Sequence, residues 1–150
     1  KLTSDSLLIN AYDNSILYTD WILSSIIDVI DRPDIVSSFV FVSDHGEHIS
    51  KDGAGHGGNC SPVKEEYHVP FIFWWSDEYE ALYPEKTYYA KSHTHSKING
   101  DCIFYSLCDM ADIQLDSIYA TPFWSVFSSK FEEHPRLILL PDGINSIAVD

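Results

Sequence analysis

The sequence predicts an α/β domain, a mostly parallel sheet flanked by helices. Two observations carry this. Residues 9–31 place apolar side chains at helical spacing, and the runs 38–43 and 69–75 (VPFIFWW) are too continuously apolar to have a wet face. A strand greasy on both sides belongs between two layers of helices, as in parallel sheets.

Ile9, Tyr12, Ile16, Leu17, Leu23, Ile26, Ile27 and Ile30 form the helical stripe, and Asp31-Arg32-Pro33 ends it, because the residue before proline resists the helical region. Residues 46–68 read as a loop, with Gly46, Gly53, Gly55, Gly57, Gly58 and Pro62 breaking any periodicity. Ser76-Asp77 caps a short helix over 78–83, and Ile103, Leu107 and Met110 mark another over 99–110. Thr121-Pro122 opens a further short helix, with proline where its missing N–H is harmless. A third strand covers 136–140 and stops at the turn sequence Pro141-Asp142-Gly143.

The 150 residues suffice for one domain with a core, and 45% apolar with 21% charged residues is globular composition. Nine basic against 23 acidic residues give −14, which argues against nucleic acid as a partner, since phosphate backbones need Lys/Arg clusters. No apolar run approaches the ~20 residues of a membrane span. Cys60, Cys102 and Cys108 lack zinc-type spacing; one disulfide with a free thiol, or none, both remain open.

Chemistry concentrates where the first strand ends, at Ser43-Asp44-His45-Gly46-Glu47. Ligands of open α/β sheets bind at the carboxyl ends of strands. Asp44 and His45 offer a carboxylate oxygen and an imidazole nitrogen, a donor pair suited to zinc, provided the backbone turns at Gly46 so that both reach one ion. Glu47 is near enough to be a ligand or to support one. His56, in the glycine-rich GAGHGG, suits proton transfer or an oxyanion contact. The rival reading, Asp44 as a loop cap and His45 as a plain surface residue, would be preferred for an isolated pair.

The ordered set SDHGE (43–47), His56 before a glycine, and VPFIFWWSDEY (69–79), preceded by YDNSILYTDWILSSII (12–27), resembles the alkaline phosphatase/sulfatase superfamily and, within it, the lipid-A-type phosphoethanolamine transferases. The resemblance spans residues 10 to about 112. It implies a partial alkaline-phosphatase/sulfatase-like fold, with Asp44 and His45 as zinc ligands, one or two ions in all, and Glu47 beside the metal or on a second one. It implies His56 as the catalytic contact to phosphate or leaving group. It further implies transfer of phosphoethanolamine from phosphatidylethanolamine to a lipid A or other envelope glycan acceptor through a phospho-threonine. That threonine and a further acidic ligand lie upstream in the family; Thr3 has no strand before it and is no counterpart.

The resemblance therefore makes residues 1–150 the C-terminal part of the catalytic domain, a soluble piece that is inactive alone. The N-terminal part of the same protein, with the nucleophile and a membrane anchor, is then its partner, at the periplasmic face of a bacterial inner membrane. A sulfatase or phosphodiesterase of the same superfamily and a non-catalytic binding or structural domain are the alternatives. His93 with His95 could pair on a strand but reads better as a solvated loop; His48 and His68 read as structural, His134 as exposed, and Trp74 or Trp75 as core. Ser43 lacks a nucleophile-elbow sequence, and Tyr12, Asp13 and Asn14 receive no catalytic role.

Overall fold

The computed structural model describes residues 4–50, 53–56, 63–116, 121–139 and 145–149. Cys60, Thr3, Pro62 and the turn 141–143 lie outside these. The chain divides into two compact units, residues 1–76 with 140–143, and residues 77–139 with 144–150.

In the first unit, helix α1 (Ser4–Ile30) leads to strand β1 (Ser38–Val42). Its half-buried positions Leu8, Tyr12, Leu23, Ile27 and Ile30 follow three- and four-residue steps. On its outer side, among exposed polar residues such as Asp13 and Asp20, the apolar Leu7, Leu17, Tyr18, Trp21 and Val29 are each more than half exposed. β1 pairs with β4 (Phe71–Trp75) from Ser38↔Trp75 to Val42↔Phe71. Ser76, almost wholly buried, ties the start of β1 to the end of β4: its hydroxyl donates to the Ile35 carbonyl (3.2 Å) and accepts from the Ser37 N–H (3.2 Å). Between them, β2 (His48–Ser50) and β3 (Gly53–Gly55) form a hairpin, followed by the single-turn helix α2 (Lys64–Tyr67).

The α/β class is borne out, but the mostly parallel sheet is not seen. The strand pairs among the described residues are β1–β4, β2–β3 and β5–β6, all antiparallel. An apolar run reports burial and carries no direction, and among the described residues the link from β1 to β4 holds no long crossover helix, which parallel neighbours need. β1 and β4 are also mostly half-buried, each with one neighbouring strand among the described residues.

The second unit holds the most buried side chains. Helices α3 (Asp77–Leu82), α4 (Pro84–Ser92) and α5 (Asp101–Met110) and a 3-10 turn (Pro122–Trp124) enclose Tyr79, Ala90, Cys102, Met110, Val126 and Phe127. The Tyr79 hydroxyl donates to the Met110 carbonyl (2.6 Å), and burial, then Tyr83, Asp109 and Asp112, push its pKa far above the tyrosine value. Burial works against the Lys86 ammonium, but Asp112 (2.8 Å) and Asp109 (3.3 Å) outweigh it and raise its pKa. Cys102 and Cys108 are buried free thiols. Strands β5 (Arg136–Leu139) and β6 (Ser146–Val149) complete the unit. No helix among the described residues is long and apolar enough to cross a membrane.

Candidate phosphoryl-transfer site

The end of β1 and the β2–β3 hairpin bring His45, Glu47 and His56 together, with Asp44 beside His45. The register His48↔Gly55, Ile49↔Ala54, Ser50↔Gly53 continues outward to set Glu47 opposite His56. The His56 Nδ1–H donates to Glu47 Oε1 at 2.8 Å. The His56 ring lies over that of His45, centroids 3.6 Å apart. Ligating atoms of His45, Glu47 and His56 all stand within 4.8 Å of one another.

Asp44 and His45 share the turn. The His45 N–H donates to Asp44 Oδ1 (3.1 Å), and Asp44 Oδ2 stands 3.8 Å from His45 Nε2. Two ligand atoms about 2.0–2.2 Å from one tetrahedral zinc stand roughly 3.3–3.6 Å apart, so small side-chain rotations bring this pair onto one ion. His45 Nδ1–H donates to the Gly46 carbonyl (3.0 Å), which leaves the Nε2 lone pair free for a metal. The donor chemistry fits zinc. The Asp44 side chain is 89% exposed and that of His45 39%, so the pair is open to a ligand from outside these two residues.

Gly46 serves the turn through room more than through backbone torsion. Its N–H donates to the Glu66 carbonyl (2.8 Å), so the backbone presses on α2, and a Cβ there would land on the Glu65 carbonyl oxygen. The Ser43 hydroxyl donates to the His45 carbonyl (2.8 Å) and braces the same turn, a structural use in line with its having no nucleophile role.

The histidines of the second unit have their own surroundings. His93 closes α4, its Nδ1–H donating to the Val126 carbonyl (2.8 Å) with the ring on Phe131, and His95 is exposed. His134, expected to be exposed, stacks on Trp124 with ring centroids 3.8 Å apart. The hairpin itself was missed from sequence. Its glycines at 53 and 55 break any alternating pattern, so no strong sequence signal marks it.

An α/β frame carrying a carboxylate–imidazole pair at a strand end, beside a histidine paired with a carboxylate, is the setting of a sulfatase-like domain. The sulfatase family model matches residues 3–113, and the chain belongs to that family, in its phosphoethanolamine transferase branch. Phosphoethanolamine transferase EptA of Helicobacter pylori is 30% identical over 83% of this chain and 23% of its own length. Phosphoethanolamine transferase EptC of Escherichia coli K12 is 28% identical over 92% of this chain and 24% of its own. Kdo(2)-lipid A phosphoethanolamine 7''-transferase of the same organism is 40% identical over 48% of this chain and 13% of its own. The chain thus spans about a quarter or less of these relatives. The crystal structure of the C-terminal periplasmic domain of Escherichia coli EptC superposes over 99% of this chain and 42% of its own, with TM-score 0.80 at 24% identity, a likeness of fold.

Proposed function

We propose that this chain is the C-terminal part of the catalytic domain of a zinc-dependent phosphoethanolamine transferase. The reading rests on one observation above others: the Asp44/His45 pair and the Glu47–His56 dyad converge at the end of β1 in a chain whose relatives carry that activity. In this reading Asp44 and His45 hold zinc, and a second ion beside Glu47 is the two-metal variant. Zinc bound there supplies Lewis-acid polarisation of the phosphoryl oxygens and activation of the nucleophile. Glu47 keeps the Nδ1 proton of His56 engaged, so the proton His56 exchanges with leaving group or acceptor sits at Nε2. The threonine nucleophile and a further acidic ligand come from the N-terminal part of the protein.

Two features support a missing remainder. α1 leaves Leu7, Leu17, Tyr18, Trp21 and Val29 more than half exposed, apolar surface that calls for cover. β1 and β4 each have one hydrogen-bonding edge without a strand among the described residues, where the parallel strands of a larger sheet can add. The donor is phosphatidylethanolamine and the acceptor lipid A or another envelope glycan, at the periplasmic face of the inner membrane, where a segment outside this chain anchors the protein.

The test is expression of the full-length protein in bacteria lacking their own such transferases, followed by mass spectrometry of lipid A and other envelope glycans. Phosphoethanolamine on an acceptor, lost in the Asp44→Ala/His45→Ala variant, is the expected result. Release of phosphoethanolamine into water without acceptor modification would make it a hydrolase. A folded protein with neither activity would make it a binding module.

A further inference from the structure

Next to the Glu47–His56 dyad lies a cavity of about 480 Å³ that no step above uses. The helix wall is Leu8, Ala11 and Tyr12 of α1, and the hairpin wall is Glu47, Ile49 and His56. Tyr12 and Leu8 sit one helical turn apart on the half-buried side of α1, which is why both reach the hairpin. Among the described residues the Tyr12 hydroxyl has no hydrogen-bond partner, and Glu47 engages His56 through Oε1, leaving Oε2 free. Among the described residues no lysine or arginine lines the cavity. A carboxylate, an aromatic ring and a short apolar wall together favour a small alkylammonium: the carboxylate pairs with its charge, the ring face attracts it, and Leu8, Ala11 and Ile49 cover the carbons. The same walls repel a second anion.

We propose that this cavity receives the aminoethyl end of the transferred phosphoethanolamine, and that Tyr12 is a specificity-determining residue which selects an ammonium-bearing head group. This rests on the transferase reading. The phosphoryl group then sits at His56 and His45, and the two-carbon arm extends into the cavity beside the dyad.

The experiment measures binding of two probes to the full-length protein by calorimetry: O-phosphoethanolamine, and n-propyl phosphate, which has a methyl where the first has an ammonium. The wild-type protein should prefer phosphoethanolamine. Tyr12→Leu should lower that preference by about 2- to 30-fold, the span of an aromatic–ammonium contact, with n-propyl phosphate affinity changing less and circular dichroism certifying the fold. Tyr12→Phe, which keeps the ring, should retain most of the preference. Equal affinity for the two probes in the wild type, or equal loss of both in Tyr12→Leu, would overturn the ammonium site while leaving the phosphoryl-transfer reading intact. Failure of the wild type to bind either probe would overturn both.

Discussion

Gly46→Ala is the substitution for which the geometry speaks most directly. The added methyl would land on the Glu65 carbonyl oxygen, 3.1 Å from its carbonyl carbon and 3.6 Å from that of Glu66. These are backbone atoms of α2 and cannot rotate aside, so either α2 or the 44–47 turn must shift. Overpacking of this kind costs about 1–3 kcal/mol, a few degrees in Tm. Any shift also breaks the Gly46 N–H bond to Glu66 and moves the Gly46 carbonyl that fixes the His45 ring. The full-length variant should therefore lose stability and zinc affinity together. Gly55→Ala is the paired control: its Cβ would meet nothing within 4 Å, and no left-handed torsion is required, so it should be neutral or stabilising by about 0.4–1 kcal/mol. Thermal melts and a zinc titration of both variants decide. Gly46→Ala with wild-type Tm and zinc affinity would refute the reasoning.

Three further outcomes follow from the same contacts. His56→Ala in the full-length protein should lower turnover by roughly 10²–10⁴ with zinc content nearly unchanged; loss of zinc would make His56 a ligand. Tyr79→Phe removes the buried bond to the Met110 carbonyl and should cost about 1–3 kcal/mol by urea unfolding; no change would mean the carbonyl finds another donor. Tyr79 and Lys86 both hold their protons more tightly folded than unfolded, so the native state binds more protons once the unfolded groups begin to ionise near 10.0 and 10.5. Stability of the second unit should accordingly fall as pH rises above about 10, read as faster amide exchange in α5 after correction for the intrinsic rate; a flat profile contradicts the assignment.

Much of this fold was legible because strong hydrophobic patterns report it. α1, β1, β4, α3, α5 and β5 appear where the periodicity and the turn residues place them, with ends shifted by a few residues. Strand direction was not legible, since Phe39 to Val42 would read alike in a parallel or antiparallel pair. α4 escaped because Pro84–Ser92 has no apolar stripe, although Pro84 and Glu85 are helix-start residues. The candidate site was legible as a set of residue types, and the resemblance supplied their order. What sequence did not reveal was the pairing. Glu47 meets His56 because the β2–β3 register places them opposite each other; a slip of one residue would turn the two side chains to opposite faces. The use of Gly46 was legible as a need for glycine but not its reason, which is the approach of α2.

The central claim is that Asp44 and His45 hold the catalytic metal of a phosphoryl-transfer site. The most direct measurement is a zinc titration of the full-length protein beside its Asp44→Ala/His45→Ala variant, with circular dichroism to certify both folds. Zinc bound by the wild type and lost in the folded variant is the predicted result. Zinc bound equally by both would contradict the account and move the metal to other residues.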